Sequence, residues 1–280
     1  MTDIYIAIGI MTMISGLLFT GSLFLYRIIS PLWRKAIAVG VIGLILLHLC
    51  TMNNSFLWIN LLPVKDVIIF NNLLIPLNGI LCGFVWGNRT LSILRRSTAI
   101  GILMFLGYLP TIAQVYPCQV PYHNIWKDDV CIQSSYTSCV PAASATLLRS
   151  YAIETNEAQM ARLCLTRYDG TPLLGLYRGM RIQTEDSIYQ AQIGKATLKQ
   201  LKEEIPLPVM VIMTLDKKTA LLKPAYADEY GWLVDVSHAV VLFEWIDEQH
   251  VRVGDPSIGP EIWNIETLED LWHGVYICLN

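Results

Sequence analysis

The stretch Gln133-Ser-Ser-Tyr-Thr-Ser-Cys139-Val-Pro-Ala-Ala-Ser-Ala-Thr-Leu-Leu148 places one cysteine at the start of a short segment rich in small residues. Ser138 is a favourable N-cap residue and Pro141 fits a first turn, so a helix is predicted to begin here and run towards Tyr151. A thiol in the first turn lies near the positive end of the helix dipole, which favours the reactive thiolate. This stretch alone leaves two interpretations open, a cysteine nucleophile or a structural cysteine that is buried or forms half of a disulfide.

Charge and hydrophobicity divide the 280-residue chain into two unlike parts. Over the whole chain 54% of the residues are hydrophobic and 15% are charged, which differs from an ordinary soluble protein. Residues 1–116 hold 7 Lys and Arg against 2 Asp and Glu, whereas residues 117–280 hold 13 against 21. Because the second part has no basic patch with interleaved aromatic residues, nucleic acid is not expected as a partner.

The first part contains four long apolar stretches. A helix of such a length crosses the hydrocarbon layer of a membrane, which is about 30 Å thick. The stretches are Ile4–Tyr26, the beginning of Ala36–Val64, Val67–Asn88 and Ser97–Tyr116, the last of which Pro110 either kinks or ends early. We therefore predict an all-α transmembrane bundle over residues 1–116, which serves as an anchor or as a docking surface for a membrane protein partner.

A few polar residues lie within these apolar stretches, namely His48, Asn71, Asn72 and Asn78. Such groups can mark a transport path, or they can form hydrogen bonds between neighbouring helices. No acidic residue lies inside the stretches to form a proton relay. The second interpretation is therefore preferred.

The orientation of the bundle follows from the basic residues, which accumulate in cytoplasmic loops. The N-terminal tail has no Lys or Arg, and the second loop offers only Lys65 beside Asp66. The basic residues concentrate in the first and third loops, as Arg27, Arg34 and Lys35 and as Arg89, Arg95 and Arg96. Both termini, and everything after Tyr116, are therefore predicted to face the periplasm or the cell exterior.

The second part is predicted to be a linker over residues 117–129 followed by an α+β domain over residues 130–280. In this domain helical patterns come first and strand patterns follow, an order typical of α+β folds. Residues 215–236 give mixed signals and are interpreted as an irregular insertion or a hairpin. The predicted helices and the first strand are Cys139–Tyr151, Glu154–Leu165, Leu173–Met180, Lys195–Glu203 and Pro208–Thr214.

The clearest strand signals predict one antiparallel hairpin, formed by Ser237–Trp245 and His250–Asp255. If its turn is centred between residues 247 and 248, position 240 faces position 255. His238 and Asp255 then lie one diagonal step apart on the same sheet face, roughly 7–8 Å between their backbones. The hairpin can therefore bring an imidazole and a carboxylate together, whereas a register shifted by one residue would separate them.

These residues supply the groups that cysteine catalysis requires. The reaction needs a thiolate, an imidazole that moves the proton, a group that orients the imidazole, and donors for the oxyanion. The candidates are Cys139 for the thiolate, His238 for the imidazole, Asp255 for the orienting group and Gln133 for the oxyanion donor. Such a set can also arise by chance. No cofactor is expected, and a zinc site is disfavoured because neither C-x-x-C nor paired histidine spacing occurs.

Several spaced blocks carry a family resemblance: Gln133-x5-Cys139-x-Pro141-Ala142-Ala143, Glu157-Ala-Gln-Met-Ala-Arg-Leu, Gly170-Thr171-Pro172, His238-Ala-Val-Val-Leu, Val253-Gly-Asp255-Pro256-x-x-Gly259 and Trp272-x-Gly274. In this order they resemble the papain-like peptidase domain of double-glycine leader peptidases, which in bacteriocin exporters is fused to an ABC transporter. The resemblance covers residues 130–280. Coupled transport is not implied because the chain has no Walker motif, and Val140 stands where the family often has Gly.

The resemblance implies a papain-like α+β fold and a thiol protease of the bacterial inner membrane. It assigns Cys139 as nucleophile, His238 as general base and acid, Asp255 as the orienting residue and Gln133 to the oxyanion hole. The leading hypothesis is a membrane-anchored cysteine peptidase that cleaves a peptide or protein substrate. Two alternatives remain open on the same scaffold, a module that binds a peptide without cutting it and a thiol acyl or glutamyl transferase.

The remaining cysteines of the second part are even in number, namely Cys118, Cys131, Cys164 and Cys278. In an oxidising compartment they could form two disulfides, for example one between the first two and one between the last two. The sequence leaves three pairings open.

Overall fold

The structure is a computed structural model that describes residues 2–116 and 121–280. It divides into two compact units, at the boundary between residues 116 and 117. The first four residues of the predicted linker, Pro117–Val120, lie outside the described residues. The same holds for Cys118, and with it for the predicted Cys118–Cys131 pair.

The first unit is entirely helical. Its helices are α1 (Thr2–Ile28), α2 (Pro31–Leu47, continued by a π-helical turn His48–Met52), α3 (Leu57–Leu61), α4 (Val67–Phe70), α5 (Leu74–Gly87) and α6 (Ile93–Val115). Four segments are long and apolar enough to cross a membrane, namely Thr2–Ile28, Pro31–Met52, Val67–Gly87 and Ile93–Val115. These four segments coincide with the four predicted stretches, and α6 continues through Pro110 rather than ending there.

Helix α5 is the most buried of these segments, and its glycines let α1 approach closely. A Cβ at Gly79 would lie 2.3 Å from the Ser15 carbonyl oxygen. A Cβ at Gly83 would lie 1.9 Å from Ser22 Oγ. Both distances are far below van der Waals contact, so α1 and α5 can pack this closely only where α5 has no side chain.

The asparagines within the apolar segments form hydrogen bonds to neighbouring segments, in agreement with the second interpretation. Asn72 Nδ2 donates to the Gly107 carbonyl (2.9 Å) and to Thr111 Oγ1 (2.8 Å) on α6. Asn78 Nδ2 donates to the Leu103 carbonyl on the same helix, at 2.6 Å. Asn71 likewise donates to Asn53 Oδ1, at 3.0 Å. His48 differs, because its Nδ1 is buried and has no hydrogen-bond partner in the described part of the chain.

The second unit has the α+β order that the sequence predicts. Its elements are β1 (Ile125–Lys127), β2 (Val130–Ile132), α7 (Cys139–Ser150), α8 (Glu157–Leu163), α9 (Leu173–Gln183), β3 (Ala191–Lys195), α10 (Leu198–Glu203), β4 (Val209–Thr214), α11 (Lys217–Leu222), α12 (Ala225–Asp228), β5 (Ser237–Trp245), β6 (His250–Asp255), β7 (Gly259–Asn264), α13 (Ile265–Leu271) and β8 (Trp272–Leu279). Strands β1 and β2 pair with each other, and the other six form an antiparallel sheet of order β3-β8-β4-β5-β6-β7.

Alternation along the central strand β5 divides the core between the two faces of the sheet. Ala239 and Val241 point to one face, where they pack with the buried side of α7. Val240 and Leu242 point to the other face, where they pack with side chains from α10, α12 and α13. Helix α7, which carries Cys139 at its start, is therefore fixed against one face only.

The β5–β6 hairpin has the predicted register at its functional end but not at its turn. Val241 pairs with Gly254, the register in which position 240 faces position 255. Nearer the turn Trp245 pairs with Val251, so the turn is centred on Glu248 rather than between residues 247 and 248. A β-bulge between Leu242 and Glu244 absorbs the difference of one residue.

Two segments differ from the sequence expectation. Within the predicted linker, residues 125–127 form strand β1, because Asp128 adopts a positive φ of 54° and turns the chain back onto β2. Residues 215–236 do not form a hairpin. They contain the short helices α11 and α12, which follow β4 and lead into β5.

The predicted pair of Cys164 with Cys278 is not formed, since both are free thiols, as is Cys131. Cys164 packs in the core on the α7 side of the sheet, together with Ile277 and Leu279 of β8. Cys278 lies between these two residues and points to the opposite face. The sheet therefore separates Cys164 from Cys278. The predicted orientation of the bundle consequently rests on the distribution of Lys and Arg alone.

Candidate active site

Cys139 is the first residue of α7 and is only 8% exposed. Nine of the twelve residues of this helix are buried, so the small side chains after the cysteine serve to seat the helix in the core. Ser138 is the N-cap residue, but its side chain makes no capping bond, contrary to expectation. Its Oγ instead accepts from the Ser135 amide and donates to the Ser135 carbonyl, both at 3.0 Å. The serine therefore closes the loop that leads into the helix.

His238 and Asp255 are joined by a hydrogen bond across the hairpin. His238 Nε2 lies 2.8 Å from Asp255 Oδ1. The same oxygen accepts from the Ser257 amide at 2.7 Å, and the carboxylate side chain is only 4% exposed. The backbone thus fixes the carboxylate, which in turn orients the imidazole. Since Nε2 is engaged by Asp255, Nδ1 is the ring nitrogen left for Cys139.

The charge state of His238 is set by opposing effects. Burial disfavours the charged ring and lowers the pKa of His238, but hydrogen bonds with Asp255 and Cys139 and the negative charge of both groups outweigh burial. The pKa rises from 6.5 to about 10. The imidazolium is therefore the stable form at neutral pH, and a neighbouring imidazolium stabilises a thiolate.

The thiol and the imidazole reach each other from opposite faces of the sheet. Helix α7 covers the face of Ala239 and Val241, whereas His238 shares the face of Val240. The two groups meet because His238 is near the beginning of β5 and Cys139 is the beginning of α7. The site thus lies where strand and helix both start, and its groups come from segments about a hundred residues apart in sequence.

Gln133 reaches the carboxylate end of the site through its backbone. Its amide donates to the Pro256 carbonyl at 2.8 Å, directly after Asp255 in the chain. Its side-chain Oε1 is buried without a hydrogen-bond partner in the described residues. The structure therefore places the residue beside the Asp255 turn, with the rest of the loop leading to Cys139.

A family model for the peptidase C39 family matches residues 127–280, more than half of the chain. The chain belongs to the peptidase C39 family. The matched range begins in β1 and covers the sheet, α7 and all four candidate residues. Membership supports a cysteine peptidase, and it agrees with the predicted papain-like α+β fold.

Comparisons with individual proteins are more distant than this family match. An uncharacterized protein of Methanothermobacter thermautotrophicus is 27% identical over 136 residues, which are 49% of this chain and 77% of that protein. A solved double glycine motif protease from an AMS/PCAT transporter, in complex with the leader peptide, is 16% identical. The match covers 58% of this chain and 96% of that one, with a TM-score of 0.41. The peptidase domain of Streptococcus ComA is 19% identical. The match covers 54% of this chain and 96% of that one, with a TM-score of 0.42.

One aromatic residue of this C39 site was missed by the sequence analysis. Trp232 and the His238 ring form a T-shaped contact, with centroids 5.5 Å apart and planes at 89°. Trp263 of β7 packs behind it, at 6.1 Å between ring centroids. Trp232 belongs to the segment 215–236, which the sequence analysis interprets as an irregular insertion or a hairpin. A tryptophan a few residues before the candidate histidine was the available signal.

The insertion is fastened to the C39 domain at a second point. Lys223 Nζ lies 2.6 Å from Asp270 Oδ2 and 2.5 Å from Glu266 Oε1 on α13. Tyr226 donates from its hydroxyl to Asp270 at 2.9 Å, and its carbonyl accepts from the Trp232 amide at 2.9 Å. These contacts hold the segment that presents Trp232 to His238.

The described residues contain no group of three or more His, Cys, Asp or Glu arranged to hold a metal ion. The groups that the structure brings together at the site are a thiol, an imidazole and a carboxylate. Val140 follows the cysteine as the second residue of α7 and is half-buried.

Proposed function

We propose that this chain is a membrane-anchored cysteine peptidase with Cys139 as nucleophile, His238 as general acid and base, and Asp255 as the residue that orients the imidazole. The single observation that carries this proposal is the geometry around His238. One ring nitrogen is held by Asp255 at 2.8 Å, and the ring also contacts Cys139 at the start of a buried helix. A non-cleaving binder would not need this arrangement of all three groups.

In the proposed reaction the Cys139 thiolate attacks the carbonyl carbon of the scissile peptide bond. The bond from carbon to nitrogen breaks, and His238 gives its proton to the leaving amine. Water then attacks the thioester while His238 takes up a proton, which releases the acid product and regenerates the thiolate. The oxyanion of each tetrahedral intermediate accepts hydrogen bonds from the Gln133 carboxamide and from backbone amides at the start of α7.

We propose that the substrate is a peptide or the leader of a small protein. The sequence blocks around the candidate residues resemble those of double-glycine leader peptidases, so cleavage after a Gly-Gly pair is the first specificity to test. Val140 stands where the leader peptidases often have Gly and adds a side chain directly after the nucleophile. A substrate with glycines at the cleavage site suits such a crowded approach, since glycine brings no side chain of its own.

We further propose that four helices anchor the peptidase domain on the extracytoplasmic side of a bacterial inner membrane. An even number of spans places both termini on one side, and the basic residues flank the first and third loops. A reporter that is active only in the cytoplasm, fused after Asn280, should give no signal. A reporter that needs export should give a signal at the same position. The reverse result would overturn the orientation.

The peptidase proposal is tested with the full chain purified in detergent. A peptide library that includes Gly-Gly sequences is incubated with wild type, with Cys139→Ala and with Cys50→Ala, a matched change of a cysteine in the first unit. Truncated peptides should form with wild type and Cys50→Ala but not with Cys139→Ala. Covalent adducts of unshortened peptides would instead indicate acyl transfer. Binding without any change in peptide mass would indicate a pure binding module.

A further inference from the structure

The loop between Gln133 and Cys139 is clamped from the side by a buried carboxylate. Glu157 is the first residue of α8, and it is fully buried. Its Oε1 accepts from the Ser134 amide at 2.7 Å, and its Oε2 accepts from Ser134 Oγ at 2.5 Å. Both oxygens of the Glu157 carboxylate thus accept hydrogen bonds from Ser134, the residue that directly follows Gln133.

Burial of this carboxylate has a free-energy cost. Moving an ionised carboxylate out of water is unfavourable unless hydrogen bonds replace the lost solvation. A neutral side chain of similar size would fill the same space without that cost. A carboxylate at this position can accept the two hydrogen bonds from Ser134, whereas an apolar residue cannot.

The same loop is held at two further points, one on each side of Ser134. The Gln133 amide donates to the Pro256 carbonyl, next to Asp255. On the other side, Ser135 and Ser138 are joined by hydrogen bonds between backbone and side chain. Glu157 therefore fixes the middle of a segment whose ends lie beside the orienting carboxylate and at the start of the nucleophile helix.

We propose that Glu157 is a positioning residue that sets the oxyanion-binding loop of this site, acting through Ser134 on Gln133. The inference rests on the proposed peptidase function. Loss of the clamp moves the Gln133 carboxamide away from the developing oxyanion, whereas Cys139 stays in place because α7 is seated in the core by its own buried residues. Removal of Glu157 should therefore weaken stabilisation of the tetrahedral intermediate without making the thiolate less nucleophilic.

Two reagents distinguish these effects. A peptide aldehyde adds its carbonyl carbon to the Cys139 sulfur, and the resulting hemithioacetal oxygen occupies the place of the oxyanion. Iodoacetamide alkylates the same sulfur, which displaces iodide from the reagent, and no oxyanion forms. The first reagent senses the positions of the oxyanion donors, and the second senses only the thiolate.

The experiment uses the full chain in detergent and a fluorogenic form of a peptide that wild type cleaves. The inhibitor is a peptide aldehyde with the sequence of the fragment that precedes the cleaved bond. Glu157→Gln and Ser134→Ala should each lower kcat roughly ten- to hundredfold with little change in KM, since displaced groups act mainly in the transition state. Aldehyde affinity should fall by the same factor. The rate of Cys139 alkylation should stay within about twofold of wild type. Glu154→Gln, a change of an exposed carboxylate nearby, is the matched control and should behave as wild type.

The double variant Ser134→Ala/Glu157→Gln should lose no more activity than the stronger single variant, because both changes disrupt the bond between the Ser134 hydroxyl and the Glu157 carboxylate. An unchanged aldehyde affinity in Glu157→Gln would overturn the inference, and so would alkylation that falls as far as turnover. If Glu157→Gln does not fold, Ser134→Ala carries the same test from the other side of the contact. If wild type cleaves no peptide, the peptidase proposal itself is refuted. If wild type is active and the variants are as active as wild type, only the inference about Glu157 is refuted.

Discussion

The indole of Trp232 packs perpendicular to the imidazole of His238, with ring centroids 5.5 Å apart and planes at 89°. The indole covers the histidine from the insertion side, where the neighbouring residues Leu233 and Val236 are exposed to solvent. The His238 side chain remains only 16% exposed. An irregular segment with no chemistry of its own therefore limits the access of water to the bond between His238 and Asp255.

Replacing Trp232 by Ala should expose this bond to water and loosen the imidazole. We expect kcat to fall roughly tenfold, since hydrogen bonds between charged groups weaken as the local dielectric rises. Trp232→Phe keeps an aromatic ring and should retain most of the activity. Leu233→Ala, a change of an exposed neighbour, is the control. Equal effects of Trp232→Ala and Leu233→Ala would contradict a specific shielding role.

The raised pKa of His238 predicts an unusual pH dependence of Cys139 alkylation. With this pKa at about 10, the imidazolium is present from acidic pH to pH 9 and is lost only as the pH rises through 10. Iodoacetamide should therefore modify Cys139 already at pH 6, where an isolated thiol of pKa about 8.5 is almost fully protonated. In His238→Ala the rate at pH 6 should fall at least about tenfold.

Two other thiols of the same chain serve as internal references in this measurement. Burial raises the pKa of both Cys131 and Cys164 to about 12. Peptide mass spectrometry of the alkylated protein should therefore find label on Cys139 and none on these two residues at pH 6. Equal labelling of the three would show that the protein had unfolded.

The same pKa shift predicts how stability depends on pH. The folded-state pKa of His238 lies above its ordinary value of 6.5, so protonation favours the folded state. This contribution is complete below pH 6.5 and is lost as the pH rises towards 10. The difference in thermal midpoint between wild type and His238→Ala should therefore shrink between pH 6 and pH 10. A difference that grows with pH would contradict the assigned shift.

Asp255 is expected to act through His238 rather than on the substrate. Asp255→Asn should lower kcat by a factor of roughly 10² to 10⁴, because an amide holds the imidazole in the wrong tautomer and does not stabilise the imidazolium. Ser257→Ala is a matched control, since Ser257 contacts Asp255 through its backbone amide and not through its hydroxyl. A steady-state comparison of the two variants with wild type tests this expectation. Similar losses in both would indicate a general disturbance of the turn.

In the first unit, the close approach of α1 and α5 predicts the effect of larger side chains. Gly83→Leu should destabilise the bundle by about 1–3 kcal/mol or more, because the new side chain meets Ser22 and the backbone of α1. Gly101→Leu is the matched control, since a Cβ at Gly101 would meet nothing within 4 Å. Thermal unfolding in detergent should show a lower midpoint for the first variant only. Equal midpoints would contradict the packing of α1 on α5.

The sequence alone was sufficient for features that depend on local pattern. Continuous apolar stretches gave the four helices that are long and apolar enough to cross a membrane, because a membrane helix must satisfy its backbone internally over a fixed thickness. Period-two alternation gave the hairpin of β5 and β6 with its bounds, and small residues after Cys139 gave α7. The small β1–β2 sheet was missed, and so were two strands of the six-stranded sheet. Both β3 and β7 are edge strands of the sheet, and their residues alternate between buried and exposed only weakly.

The tertiary structure decided what depends on contacts distant in sequence. The β-bulge between Leu242 and Glu244 compensates for a turn centred differently from the prediction, so His238 and Asp255 still meet. The packing of Trp232 on His238, the clamp from Glu157 to Ser134 and the separation of Cys164 from Cys278 by the sheet join or part residues that no local pattern relates. Local patterns fix which residues form a helix or strand, whereas the position of a side chain beside a distant one is fixed only when the elements pack into a single core.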